Sequence, residues 1–175
     1  MTKTVKNIIL LLTTAVGLTV LFFMGPIPQD PAYHNFADTQ KIVGIPNFYN
    51  VISNIPLIII GIWGILRIRS RGIIPTLKHH YIIFCSSVLL IGFGSAYYHL
   101  QPNNASLIWD RLPMTAAFMS FFSALIGEYI NLKTGKRLLY PLLILGIFSV
   151  IYWNITENLG AGDLRPYAAV LNIFP

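Results

Sequence analysis

Charge is what this chain has least of. Only 10% of its 175 residues are Asp, Glu, Lys or Arg, against roughly 25% in a soluble domain. With 55% hydrophobic residues and a mean hydropathy of +0.65, that deficit excludes an ordinary soluble globule and points to a membrane protein. Acidic residues are scarcer than basic ones, six against twelve, giving a net charge of +6 and a pI near 9.6. In a soluble chain this would suggest nucleic acid. Here the basic residues sit in short loops between apolar runs, so nucleic acid is not an expected partner. Cys85 is the only cysteine, which rules out an intrachain disulfide. It lies in an apolar stretch and reads as a small core residue.

What is present is a series of bilayer-length runs. A membrane helix needs about 20 apolar residues. The first run, Asn7 to Met24, is uncharged and follows Lys3 and Lys6; no small-x-small cleavage site follows it, so a retained helix is expected rather than a signal peptide. Further runs span about Phe48–Leu66, Tyr81–Tyr98, Leu112–Ile130 and Leu138–Ile155, and a sixth opens at Tyr167 and stops at Pro175. The expected fold is therefore all-α: one multi-pass membrane domain over residues 1–175, with five full spans and the start of a sixth. Pro56, Pro113 and Pro141 fall in or near the runs, where membrane helices tolerate them.

Loop charge sets the expected orientation. Lys3, Lys6, Arg67, Arg69, Arg71, Lys78, Lys133, Lys136 and Arg137 share one side, against Lys41, Arg111 and Arg165 on the other. The positive-inside rule then puts the N-terminus in the cytoplasm. Five of the six carboxylates, Asp30, Asp38, Asp110, Glu157 and Asp163, fall on the outer side.

Polar groups gather towards that outer face. Ser95 and His99 are four apart, so on a helix they share a face. Asp110 follows a short turn at the start of the next run and is expected at a similar depth. Titratable side chains at the edge of a span read as functional by default. Asn47, Asn50 and Asn54 step by three and four as one stripe with Ser53 beside it, and Asn154 and Glu157 leave the fifth run on the same side. Glu128 lies eighteen residues past Asp110, about 27 Å along a helix, and cannot join them. The blander readings are ordinary. Asn50 and Asn54 serve equally as interhelical hydrogen-bond glue. Ser95 beside Gly92, Gly94 and Ala96 reads as a packing surface, and Asp110–Arg111 as an interfacial cap. His79 and His80 adjoin the basic loop as expected headgroup neighbours, and His34 has no assigned role. The sequons at Asn104 and Asn154 carry little weight.

The string Gly-x-Gly-Ser-x-x-x-His from Gly92 to His99, then Asp110-x-Leu-Pro to Pro113, with Asn-Val-x-Ser-Asn at Asn50–Asn54, resembles the alkaline ceramidases and the wider membrane-hydrolase superfamily that includes the adiponectin-type receptors. The similarity covers roughly residues 47–129, and more weakly Gly162 to Tyr167. It implies a core of seven membrane helices around a zinc ion, here preceded by an extra N-terminal helix at about 7–24. His99 would be a zinc ligand, and Ser95 and Asp110 the catalytic partners that polarise an amide carbonyl and move protons. The substrate would be ceramide or a related lipid amide, presented by the bilayer. Catalytic zinc takes three protein ligands and lowers the pKa of its water to about 7. The resemblance places the other two ligands on a His-x-x-x-His pair of the last helix, and no histidine follows His99. A C-terminally incomplete core is therefore the expectation. Asp30 and Asp38 are too few for the six to eight oxygens of a calcium site, so calcium is not expected. The alternatives are a non-enzymatic lipid-binding receptor or transporter-like protein using the same polar cup, or an inactive fragment lacking two zinc ligands.

Overall fold

The computed structural model describes residues 3–70 and 75–172. Arg71, the side chains of Lys3, Lys6 and Arg69, and the last residues of the sixth run (173–175) lie outside the described residues. Among the described residues seven α-helices follow one another: α1 Lys3–Phe23, α2 Phe48–Ile52, α3 Ile55–Ser70, α4 Lys78–Leu100, α5 Asn104–Tyr129, α6 Leu132–Asn158 and α7 Arg165–Asn172. α3, α4, α5 and α6 pack in sequence as neighbours, α7 lies against α6 and α5, and α1 touches α7.

Short polar signals set the helix ends. Asn103 accepts from the Ser106 N–H at 2.9 Å in a capping box that starts α5, and Asn131 accepts from the Thr134 N–H at 3.0 Å to start α6. These caps extend α5 and α6 beyond their apolar runs. The expected second span is interrupted instead. The chain breaks at Ser53–Asn54, where Ser53 Oγ and Asn54 Nδ2 both donate to the Asn50 carbonyl at 2.8 Å. That local bonding competes with helix continuation.

Among the described residues three stretches are long and apolar enough to cross a bilayer: Phe48–Ile68, Lys78–Leu100 and Leu132–Asn158. The apolar part of α1 counted by that measure, Leu11–Phe23, is shorter. α5 is long, but it carries Asp110, Arg111, Glu128 and several hydroxyls. The architecture is all-helical, and its surface is that of a membrane protein. Leu11, Phe22, Ile59, Trp63, Ile144 and Phe148 are exposed, whereas Thr115, Ser120, Ser123 and Ser149 are buried. Those four hydroxyls donate to carbonyls three residues back on their own helices, at 2.7–3.0 Å. Small polar groups inside and large apolar groups outside reverse the soluble pattern, and hydroxyls bonded to their own helix suit a medium without water.

α4 and α5 touch backbone to backbone. A Cβ on Gly94 would overlap the Trp109 carbonyl oxygen. Pro113 lies inside α5 and has no N–H for the carbonyl four residues back, which is that of Trp109. The freed carbonyl rests on the one residue that leaves it room. Gly94→Ala is expected to force the helices apart and lower stability by about 1–3 kcal/mol. Thermal denaturation of the detergent-solubilised chain checks this, and an unchanged midpoint would contradict the contact.

Candidate active site

The Gly94 contact sets Ser95 beside Asp110. Ser95 and Asp110 are close enough for the hydroxyl to act on the carboxylate, with Ser95 half-buried and Asp110 9% exposed. His99 does not join them: no hydrogen bond links it to either. The reason is register. α4 and α5 are antiparallel, so a step of four residues towards the end of α4 moves from the level of Asp110 to that of Ser106, about 6 Å further out. The shared depth expected for three residues holds for two.

His99 turns instead to the segment between α1 and α2. Its ring lies 4.6 Å from the Phe36 ring, its carbonyl accepts from Asn47 Nδ2 at 2.8 Å, and its Nδ1 is buried with no hydrogen-bond partner. The charge acting on it is that of Asp38. The stripe expected of Asn47, Asn50 and Asn54 does not form. Asn47 precedes α2 in a left-handed conformation (φ 48°), and Asn54 is buried beneath Gly92 with its amide turned back to its own helix. Ser53 is exposed. Asn54 is not the interhelical glue expected, because its amide bonds the turn before it.

Three residues of the connecting segment matter that the sequence left unassigned. His34 Nε2 meets Asn104 Oδ1 at 2.9 Å and its Nδ1 meets the Tyr98 hydroxyl at 2.9 Å. With Asn104 as acceptor, His34 donates through Nε2 and accepts the Tyr98 O–H at Nδ1. This also occupies the Asn104 amide of the first sequon. Phe36 packs on Tyr98 and His99. Asp38 accepts from the N–H of Gln40 at 3.1 Å and of Asn50 at 3.0 Å, capping α2 in place of Asn47, whose amide goes to His99. His34 closes a short 3-10 turn, Pro31–His34, and the chain then passes Phe36 to reach Asp38, so three separate contacts fasten this segment. Further back, Gln29 N donates to Glu157 at 3.0 Å, and Gln29 Oε1 accepts from Arg111 Nη2 at 2.6 Å. Arg111 is 5% exposed, not the interfacial cap partner expected.

At the opposite end Glu128 accepts from the Tyr81 hydroxyl, far from Asp110. His80 corrects an expectation. It is 1% exposed, packed with Nε2 at 3.3 Å from the Gly135 carbonyl, and meets no headgroup; α6 begins so close to α5 that its first turn covers the ring. His79 is exposed.

A family model described as Ceramidase matches residues 34–161, well over half the chain. The chain belongs to the ceramidase family. No curated protein and no solved structure matches it. The matched stretch opens at His34 and takes in the connecting segment, the Ser95–Asp110 pair and α6. Membership makes this a membrane hydrolase of the ceramide-related class, with a lipid substrate. Zinc fits the described residues poorly. His99 Nδ1 offers one open ligand atom, but no three His, Cys, Asp or Glu side chains cluster among the described residues, and three is the usual catalytic set.

The Asn50 N–H holds the Asp38 carboxyl below the usual carboxylate range, against the opposing effect of partial burial and with help from the Gln40 N–H. A lowered folded pKa contributes stability above the unfolded value of about 3.9 and loses it as pH falls through the folded value. Asp38→Ala is therefore expected to lower the melting temperature at pH 7, with the gap to the parent closing below about pH 4. A gap that stays constant down to pH 3 would show that the carboxylate does not act as the cap.

Proposed function

We propose that the chain is an amidohydrolase of ceramide or a related lipid amide, with Ser95 and Asp110 as its catalytic pair. The observation that carries this reading is the juxtaposition of the two side chains at the α4–α5 contact, within a ceramidase-family chain. Ser95 donates to the amide carbonyl oxygen as it gains negative charge, the role of an oxyanion-hole donor. Asp110 takes a proton from the attacking water and passes it to the departing nitrogen. A C–O bond forms, the C–N bond breaks, and a fatty acid and a long-chain base result. Burial of Asp110 between two helices keeps bulk water from competing for either proton.

Zinc, with His99 as one ligand, would supply Lewis acidity and a more acidic water. The described residues furnish only that ligand, and the proton path above runs through this chain's own side chains. The wider arrangement we favour has five spans and a start of a sixth, the N-terminus in the cytoplasm and the pair near the extracytoplasmic face. The nine-to-three division of loop basic residues supports it.

The test is turnover of a labelled ceramide by the reconstituted chain. Ser95→Ala and Asp110→Asn are each expected to lower kcat by about 10²–10⁴-fold, the range for a positioned acid–base group, with melting temperatures near the parent's. Parental turnover in Asp110→Asn, or no turnover by the parent chain, would overturn the reading.

A further inference from the structure

Arg111 follows Asp110 in sequence but points into a different environment. At 5% exposure it belongs to a residue type almost never so deeply buried unless paired. Among the described residues it makes no ion pair with a carboxylate. Its guanidinium carbon lies 4.1 Å from the Trp153 ring centre, 4.7 Å from that of Tyr167 and 5.8 Å from that of Tyr33. Nη2 donates to Gln29, and Nη1 is buried with no hydrogen-bond partner. Trp153, fully buried, holds a second such donor: its Nε1 is also without a partner.

Aromatic faces offset part of a buried cation's charge. They do not replace directed acceptors for its N–H groups, which buried polar groups almost always have. One cation and two neighbouring orphaned donors lack one thing, a negatively charged oxygen group. We propose that Arg111, with Trp153, is a binding site for the monoanionic head of an amphiphile, a carboxylate or a phosphodiester. A single guanidinium with no second cation in contact matches one negative charge. The surrounding cluster of Tyr98, Leu107, Val150 and Tyr167 favours a group carried on a hydrocarbon over a free hydrated ion. The way in is past Tyr33, which is 52% exposed while the Trp153 and Tyr167 walls are buried. The site goes beyond amide cleavage and is read without turnover.

Trp63 and Trp109 are exposed, so a Trp63→Phe/Trp109→Phe background leaves Trp153 as the sole tryptophan reporter. Its emission is followed in detergent during titration with octanoate, with dihexanoyl-phosphatidylglycerol and with neutral octanamide. A saturable change with one or both anions and none with octanamide is expected, and the anion that binds names the source. Arg111→Met in that background is expected to weaken binding by about tenfold or more, the worth of one charge-assisted hydrogen bond. No response to either anion, an equal response to octanamide, or parental affinity in Arg111→Met would overturn the site. If Arg111→Met fails to fold, Gln29→Ala decides. It frees Nη2 for a second contact and is expected to tighten anion binding, and unchanged or weaker binding there would count against the proposal.

Discussion

Pro113 has no N–H to give the Trp109 carbonyl, and Gly94 has no side chain to hold that carbonyl away. Together they bring the α4 and α5 backbones into contact at one level of the bundle. Ser95 and Asp110 flank this level, so their proximity follows from the approach of the helices rather than from the reach of long side chains. A serine has one χ angle and an aspartate two. Such short groups can pair only where backbones are already close, and once paired they have little freedom left to lose. A proton donor and acceptor fixed in this way start near the geometry that chemistry needs.

Around that contact the molecule keeps polar groups paired in a medium that cannot solvate them. Hydroxyls of α5 and α6 return to their own carbonyls, and the Asn54 amide folds back on its helix. The segment between α1 and α2 is fastened over the same end through Gln29, His34, Phe36 and Asp38. Three places depart from the pattern: the His80 Nδ1 at the far end of the bundle, the His99 Nδ1, and the pair of donors on Arg111 and Trp153. Only the last brings two such donors and a buried cation together.

The all-helical class was legible in the sequence because bilayer-length apolar runs are a coarse, redundant signal. The placement of Ser95 against Asp110 was legible too, since a four-residue helical step and a short turn leave little choice. His99 was misjudged by one helical turn, because hydrophobic runs locate spans but do not set the register between antiparallel helices. The Asn47–Asn50–Asn54 stripe failed because it presumed an unbroken helix, and side chains that bond their own backbone broke it at Ser53–Asn54. Arg111 looked interfacial by position alone. Its burial depends on Trp153 and Tyr167, more than forty residues downstream, which no local pattern could bring to it. His34, Phe36 and Asp38 lay in a stretch that reads as loop, where no helical or strand period assigns partners.

Connecting loops ordinarily absorb changes in length with little penalty. The stretch from His34 to Asp38 cannot, because both its ends are tied, His34 to Tyr98 and Asn104 and Asp38 to the start of α2. A single inserted residue there would displace the imidazole or the carboxylate and leave Tyr98 or the start of α2 without its partner. Variation in length among related chains should therefore concentrate in the turn at Ile42–Ile45, whose backbone bonds close on each other.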